Sequence, residues 1–182
     1  MERLRRDYEV GVRWTAFPLH PDTPQEGLSL HELFGSRMDI DGLMVHLREV
    51  AEELGLPWGE REKTYNTRLA QELGKWAEAK GRGDDFHKSV FRAYFVDGRN
   101  IGRIAELVEL AESLGLPGEE AQQAIQKRAF KNAVDIDWAR SVRMGVTGVP
   151  TFMIGHQSVV GAQPYETLEH LMKTNNIGKR RR

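Results

Sequence analysis

Hydrophobic and polar residues follow two spacings along the chain, one of period two near the start and one of helical period through the middle. Residues 9–17 alternate, so that one face carries only apolar side chains, namely Val10, Val12, Trp14 and Ala16. This alternation predicts a half-buried β-strand. Residues 1–8 have the charged pattern of the last turns of a helix. Three prolines in residues 18–27 then predict a stiff, extended connector.

From residue 28 to about residue 144, apolar residues recur three and four positions apart, which predicts a block of helices. Ser29 and Glu32 stand at capping-box spacing before a short helix that ends at Gly35. We expect Asp41 to cap the next helix and Asn66 to cap the one after it. Two longer helices, a short one over residues 119–127 and a last one from about residue 130 follow.

The end of the chain predicts a β-hairpin and a closing helix. In GVTGVPTFMI, residues 145–154, two glycines give turn freedom and Val149-Pro150 opens an apolar run that is typical of a strand. Because proline has no N–H, it ends strand pairing there and leaves the N–H and C=O of Val149 free to bind an extended ligand. An ordinary strand entry after a helix is the alternative, and the residues do not decide whether the bond is cis or trans.

Composition sets limits on function. The chain has 182 residues, enough for one domain, and its 26 Lys and Arg nearly balance its 27 Asp and Glu, so no net field attracts nucleic acid or a membrane surface. The sequence shows no apolar run of membrane-spanning length and no signal-peptide pattern at its start, so we expect a cytoplasmic protein. It contains no cysteine, which excludes disulfides, thiolate nucleophiles and cysteine metal sites in this chain.

Candidate metal and nucleotide sites fail on their spacing, and we expect no metal. His31-Glu32 lacks the second histidine of a zinc protease helix. Asp39 and Asp41 suggest a calcium loop, but Leu43 stands where an oxygen ligand belongs, so helix capping explains them better. No phosphate-loop or nucleophile-elbow motif occurs. Four aromatic residues at helical spacing are expected in the core, although they could instead line a ligand groove between helices: Phe86, Phe91, Tyr94 and Phe95. The isolated His46, His87 and His170 are expected at the surface.

Four motifs in a fixed order resemble the thioredoxin fold of the DsbA family, and its FrnE-like branch most of all. The motifs are VRWTAFPLHPDTPQEG (12–27), FRAYFVDGRNI (91–101), GVTGVPTF (145–152) and GAQPYE (161–166). The same family includes 2-hydroxychromene-2-carboxylate isomerases and kappa-class glutathione transferases. The resemblance implies an α/β, thioredoxin-like fold in which residues 1–27 and 145–182 form an incomplete thioredoxin-like domain and residues 28–144 form a large all-helical insertion.

The resemblance also implies a site. Val149-Pro150 corresponds to the cis-proline loop, whose residue before the proline binds a substrate peptide or glutathione in the manner of a strand. The substrate-binding residues expected from this loop are Thr147, Gly148, Val149 and Pro150. Gly161, Ala162 and Gln163 are added because they precede the final helix, whose N–H groups could hold a carboxylate, although a plain helix start explains them equally well. The family's Cys-x-x-Cys and first strand precede the part that matches residues 1–8, so this chain lacks both and no catalytic residue is expected.

Disulfide exchange requires a thiolate, so we expect a redox-inactive member of a thiol–disulfide oxidoreductase family. Two alternatives remain open, a glutathione-dependent isomerase or transferase and a non-catalytic module that binds an extended peptide. An unrelated helical protein would instead have a trans Val149–Pro150 bond and no sheet contact with residues 10–14. The missing strand leaves open strand edges, which a longer form of the chain or a partner such as a second copy would cover.

Overall fold

The structure is a computed structural model that describes residues 1–35 and 38–180. Its strands are β1 (Leu28–Ser29), β2 (Lys63–Thr64), β3 (Thr151–Ile154) and β4 (Gln157–Val160). Its helices are α1 (Glu2–Asp7), α2 (Leu30–Phe34), α3 (Ile40–Glu53), α4 (Arg68–Ala79), α5 (Gly83–Phe95), α6 (Ile104–Ser113), α7 (Gly118–Gln126), α8 (Lys131–Arg143) and α9 (Tyr165–Thr174). The predicted order of a helical block followed by a hairpin and a closing helix is confirmed.

The chain divides into two compact units. The first unit comprises Met1–Leu19 and Ile136–Arg182, and the helical unit comprises His20–Asp135. Helix α8 therefore contributes residues to each of them. The domain boundaries predicted from the sequence, after residues 27 and 144, stay a prediction.

The core of the helical unit lies between α4, α5, α6 and α7. Each helix presents apolar residues at helical spacing, and their side chains are almost fully removed from solvent, among them Leu73, Phe86, Leu107 and Ile125. Burying one such side chain stabilises a fold by about 1.5–3 kcal/mol. The apolar spacing read from the sequence therefore identified the faces that pack together in this unit.

The helix starts follow the predicted chemistry with two shifts of position. The capping box is confirmed, because Ser29 Oγ accepts the Glu32 N–H at 3.1 Å and Glu32 accepts the Ser29 N–H at 2.7 Å. Asp39 caps α3 instead of Asp41, since its Oδ1 reaches the Gly42 N–H at 3.0 Å. Asn66 precedes the first helical residue of α4 by two positions.

The side chain of Asn66 bonds to two segments, the first turn of α4 and the proline-rich connector. Its Oδ1 accepts the Arg68 N–H at 2.9 Å, and its Nδ2 donates to the carbonyl oxygens of Pro21 and Thr23 at 3.1 and 2.7 Å. The amide thus holds the proline-rich connector as well as the first turn of α4. Next to it, β1 and β2 form a two-residue antiparallel pair with Leu28 opposite Thr64.

The first unit is built around α1, α9 and the hairpin. Leu4 and Tyr8 of the N-terminal segment pack on Leu168, Leu171 and Met172 of α9. Strands β3 and β4 are antiparallel, and their register runs from Thr151 opposite Val160 to Ile154 opposite Gln157. The predicted hairpin is confirmed, but its turn is two residues, 155–156, because Gln157, which the sequence placed in the turn, pairs with Ile154 in the ladder.

The strand predicted over residues 9–17 is wrong. Within residues 1–35 and 38–180 this segment joins no sheet, although its even-numbered side chains are half-buried and Gly11, Arg13 and Thr15 are exposed. The alternation of side chains is therefore present without the ladder. A strand requires the backbone of a neighbouring strand, and the described chain places none beside this segment.

Two expectations about individual side chains are also wrong. Phe91 is 47 % exposed rather than in the core, because it lies on the outer side of α5 while Phe86 and Tyr94 turn inward. His87 is half-buried rather than at the surface, since it packs over Gly74 of α4 and lies 3.7 Å from Glu78 Oε1. Its burial lowers the pKa of His87, and the nearby Glu78 carboxylate opposes this effect.

Candidate substrate-binding site

The loop between α8 and β3 begins with a glycine in the left-handed region. Gly145 has a φ of 68°, and it reverses the chain so that the Val146 N–H reaches the Ser141 carbonyl at 3.0 Å and the Gly145 N–H reaches Val142 at 3.0 Å. These two bonds satisfy carbonyl groups at the end of α8, as in a Schellman motif. The sequence thus fixes where the helix ends and the loop starts.

The centre of the loop exposes main-chain groups. The Val149–Pro150 peptide bond is cis. Val149 is 49 % exposed, and no other group in the described part of the chain bonds to its N–H or C=O. Thr151 Oγ1 donates to the Gly148 carbonyl at 2.7 Å, so a bond within the loop links the residues on either side of Val149 and Pro150.

The second predicted segment, residues 161–163, lies directly beside this loop. The Gly161 N–H donates to the Pro150 carbonyl at 2.7 Å, one step beyond the last pair of the β3–β4 ladder. Gly161 has a φ of 88°, a conformation that favours glycine, and it turns the chain into α9. Gln163 Nε2 donates to the Val160 carbonyl at 2.8 Å, while Ala162 is exposed. Both predicted segments therefore form one continuous surface.

The chemistry available on this surface is hydrogen bonding alone. Its seven predicted residues carry no carboxylate, imidazole, amine or thiol, and Thr147 contributes an exposed hydroxyl. Within the described residues, no group of three His, Asp or Glu side chains is placed to hold a metal ion. No helix that the structure describes has the length and apolar character needed to cross a membrane. The seven residues thus offer main-chain amides and carbonyls together with one side-chain hydroxyl and one side-chain amide.

Two part-buried hydrogen bonds connect α9, which starts beside the site, to the last residue of α1 and to the residue that follows it. The Tyr8 hydroxyl donates to Glu169 Oε1 at 2.9 Å, and the Tyr165 hydroxyl donates to Asp7 Oδ2 at 2.9 Å. Hydrogen bonds from Lys173 and Tyr8 lower the pKa of Glu169 to about 2. Burial and the bond to Glu169 raise the pKa of Tyr8 to about 12. Both tyrosines thus stay protonated donors at neutral pH.

Two residues that orient the neighbouring extended segment were not identified from the sequence. The Asp137 carboxylate, 1 % exposed, accepts the Ala16 N–H at 3.0 Å and pairs with Arg13 at 3.2 Å. Ser141 Oγ, one turn further along α8, donates to the Ala16 carbonyl at 3.3 Å. The available signal was that Asp137 and Ser141 are four residues apart, which puts both polar groups on one face of the helix.

Comparison with known proteins gives the same fold. A family model for the DSBA-like thioredoxin domain matches residues 1–173. The uncharacterized protein YwbO of Bacillus subtilis is 27 % identical over 169 residues, which cover 92 % of this chain and 84 % of YwbO. The crystal structure of the probable DsbA oxidoreductase SCO1869 from Streptomyces coelicolor has a TM-score of 0.79 at 24 % identity, over 92 % of this chain and 76 % of that one.

Two further solved structures are similar. A 2-hydroxychromene-2-carboxylate isomerase has a TM-score of 0.78 at 22 % identity, over 96 % of this chain and 86 % of its own. The cytosolic disulfide reductase DsbM from Pseudomonas aeruginosa, solved with GSH, has a TM-score of 0.56 at 23 % identity, over 72 % and 74 % of the two chains. The chain has a thioredoxin-like α/β fold with a helical insertion, contains no Cys-x-x-Cys, and belongs to the DSBA-like thioredoxin domain family.

Proposed function

We propose that this chain is a redox-inactive member of its family that binds a short extended peptide through the main chain of Val149. The observation that carries the proposal is the exposed pair formed by the Val149 N–H and C=O, which bond to no other group of the described residues. An extended peptide that adds to such groups gains main-chain hydrogen bonds as an extra strand would. The neighbouring Pro150 carbonyl and Gly161 N–H are already bonded to each other, so they do not compete with Val149 for the same ligand.

Redox inactivity follows from composition. Thiol–disulfide exchange proceeds by attack of a thiolate on a disulfide sulfur, and the sequence contains no cysteine that could supply the thiolate. The contribution proposed for this chain is therefore recognition rather than electron transfer. A location in the cytoplasm and membership of the FrnE-like branch are part of the same proposal.

Glutathione is the second candidate ligand, and one observation favours it. The similar DsbM structure was solved with GSH, and glutathione is a tripeptide whose cysteinyl unit carries both a main-chain donor and a main-chain acceptor. A glutathione-dependent isomerase or transferase would use the same loop. Because the seven site residues include no carboxylate, imidazole, amine or thiol, binding without turnover is the form of this alternative that we propose to test.

The test is an NMR titration of the ¹⁵N-labelled chain with S-methylglutathione and, separately, with a capped pentapeptide of alternating valine and threonine. We expect the amide signal of Val149 to shift with at least one of these ligands, and the signals of Gly148 and Gly161 to shift less. The same ligand methylated on the amide nitrogen that faces Val149 should bind about tenfold more weakly, since one hydrogen bond contributes about 1–1.5 kcal/mol.

Two variants at Val149 separate its main chain from its side chain. Val149→Pro removes the N–H donor, and we expect about a tenfold loss of affinity. Val149→Ala keeps the donor and removes only an exposed side chain, so binding should stay within about twofold of the native chain. The absence of binding by both ligands, or equal binding by the two variants, would refute the proposal.

A further inference from the structure

Arg61 differs from three other arginines of the helical unit in what its guanidinium binds. Arg68, Arg99 and Arg128 each donate from both Nε and Nη2 to carboxylate oxygens of Glu or Asp side chains. These two atoms form the edge of a guanidinium that matches the two oxygens of a carboxylate. In Arg61 neither atom bonds to any of the described residues, and no described carboxylate pairs with it. The Nε–Nη2 edge of Arg61 is therefore open.

The rest of the Arg61 guanidinium is held in place by its neighbours. Its Nη1 donates to the Tyr94 hydroxyl and to Thr64 Oγ1, the latter at 3.4 Å, and both of these residues are buried. Its Cζ lies 4.4 Å from the centre of the Tyr94 ring and 5.3 Å from the centre of the Phe95 ring. Protein groups alone thus fix the open edge, which reduces the entropy that a ligand loses on binding there.

Trp58 contributes a further donor that contacts the same ring. Its indole N–H is buried, as is Nε of Arg61, and it bonds to no group in the described part of the chain. Trp58 stacks on Phe95 with the ring centres 5.8 Å apart. A buried N–H of this kind normally has an acceptor, because its burial without one is unfavourable. Donors and a positive charge that gather around Phe95 without an acceptor point to an anionic ligand.

We propose that Arg61 and Trp58 bind the carboxylate of a small organic acid. The Nε–Nη2 edge of Arg61 takes the two oxygens, as Arg128 takes those of Glu72, and the Trp58 N–H donates to one of them. Because Nε of Arg61 and the Trp58 N–H are buried, the Trp58 ring moves off Phe95 to admit the carboxylate. The segment that carries both side chains, residues 54–62, belongs to no helix or strand, so this movement breaks no regular structure.

The surroundings favour an acid with an apolar tail. Phe91, one turn before Phe95 on α5, is 47 % exposed, and the two ring centres lie 6.3 Å apart. Leu56, two residues before Trp58, is also exposed. Apolar side chains beside a few converging polar groups are the usual composition of a small-molecule site. All of these residues belong to the helical unit, and the proposal does not depend on the function proposed for the Val149 loop.

The first test is an NMR titration of the ¹⁵N-labelled chain with sodium hexanoate at constant ionic strength, read at the indole N–H signals. The sequence has four tryptophans, so three are internal references, and the Trp58 signal is identified by its loss in Trp58→Phe. We expect the Trp58 signal alone to shift, with a dissociation constant of about 1 mM. Hexanamide, which has the same tail without the charge, should bind at least about tenfold more weakly. No shift of the Trp58 signal up to about 50 mM hexanoate, or an equal response to hexanamide, overturns the proposal.

The second test compares two arginine variants that lose the same charge. Arg61→Gln removes the open edge, and we expect about a hundredfold loss of hexanoate affinity. Arg92→Gln is the matched control, because Arg92 is exposed on α5 close to Phe95, and it should keep the affinity within about twofold. Circular dichroism checks that both variants keep their helices. Equal losses in the two variants would show a general attraction to positive charge and refute the site.

Trp58→Phe provides a test that leaves Arg61 unchanged. It keeps a ring to stack on Phe95 and removes the N–H, so hexanoate should bind about tenfold more weakly, as read at the amide signal of Gly59. Native affinity in this variant would contradict the role of the indole N–H.

Discussion

Glu72 and Arg128 form a two-pronged ion pair in the helical unit. The Arg128 Nε donates to Glu72 Oε2 and its Nη2 to Oε1, both at 2.7 Å, and the carboxylate is only 2 % exposed. Arg68, one turn before Glu72 on α4, donates to the same carboxylate at 2.6 Å. Arg128 has a positive φ of 51°, so the pair holds a residue in a conformation that non-glycine residues rarely adopt.

The Glu72–Arg128 pair gives the first prediction, which concerns stability. Glu72→Gln keeps the shape of the side chain but leaves the Arg128 guanidinium without this carboxylate, while Arg68 keeps its second partner Asp135 at 2.7 Å. We expect it to lower the free energy of unfolding by about 2–4 kcal/mol. Urea denaturation followed by circular dichroism measures the change. Glu49→Gln is the matched control, because Glu49 is exposed on α3, and it should change stability by less than about 0.5 kcal/mol.

The same pair predicts how this effect depends on pH. Burial opposes ionisation of Glu72, but the hydrogen bonds from Arg128 and Arg68 outweigh it and keep the pKa below its ordinary value. A carboxyl group with a lowered pKa stabilises the fold above its unfolded-state pKa and loses this contribution as the pH falls. The stability difference between the native chain and Glu72→Gln should therefore shrink below about pH 4.5. A difference that grows in acid would contradict this sign.

Glu169 predicts a second pH effect, in the first unit. Its pKa is lowered to about 2, so its interactions with Tyr8 and Lys173 stabilise the fold above pH about 4.3 and are lost progressively as the pH falls towards 2. We expect Glu169→Gln to unfold at a lower temperature than the native chain at pH 7 and at nearly the same temperature near pH 2. Glu166→Gln, an exposed position on the same helix, should follow the native curve throughout.

Gly59 predicts a steric effect. Its N–H donates to the Phe95 carbonyl at 3.0 Å, and a Cβ added at this position would overlap the carbonyl oxygen of Val96. Because the obstacle is backbone at the end of α5, it cannot move aside as a side chain would. We expect Gly59→Ala to destabilise the chain by about 3 kcal/mol in thermal unfolding. Gly11→Ala, which meets nothing within 4 Å, should be neutral, and equal effects of the two changes would contradict the assignment.

The composition predicts the outcome of a standard redox assay. Since the sequence contains no cysteine, the chain should not accelerate the reduction of insulin by dithiothreitol above the rate without protein. An unrelated thioredoxin that contains cysteine, added in the same amount in a parallel reaction, is the positive control. Acceleration by this chain alone would show that its chemistry does not depend on a thiol of its own.

The sequence predicted local structure well where the pattern depends on neighbours in the chain. The capping box at Ser29, the ends of the long helices and the β3–β4 hairpin all follow from residues within a few positions of one another. The predicted site segments, one around Val149 and one around Gly161, also lie together as expected from a hairpin whose ends meet. Their role in binding stays a prediction.

Contacts between residues that are far apart in the chain could not be predicted from the sequence. The alternation in residues 9–17 predicted the correct exposure of each side chain, but a ladder depends on what lies beside the segment, and that information is not local. The buried position of Glu72 was equally hidden, because its partner Arg128 lies 56 residues away. Asp39 took the capping role expected of Asp41 because two acceptors stood within reach of the same helix start, and spacing alone does not rank them.

The bond from the Gly161 N–H to the Pro150 carbonyl has a consequence for how this loop would be studied. It occupies the Pro150 carbonyl and the Gly161 N–H, whereas the N–H and C=O of Val149, a residue about half exposed, bond to no other described group. An alanine scan changes side chains and keeps amides, so it would report tolerance at Val149 and assign the position no role. We also expect natural sequence variation at position 149 to include many residue types but to exclude proline, which has no N–H.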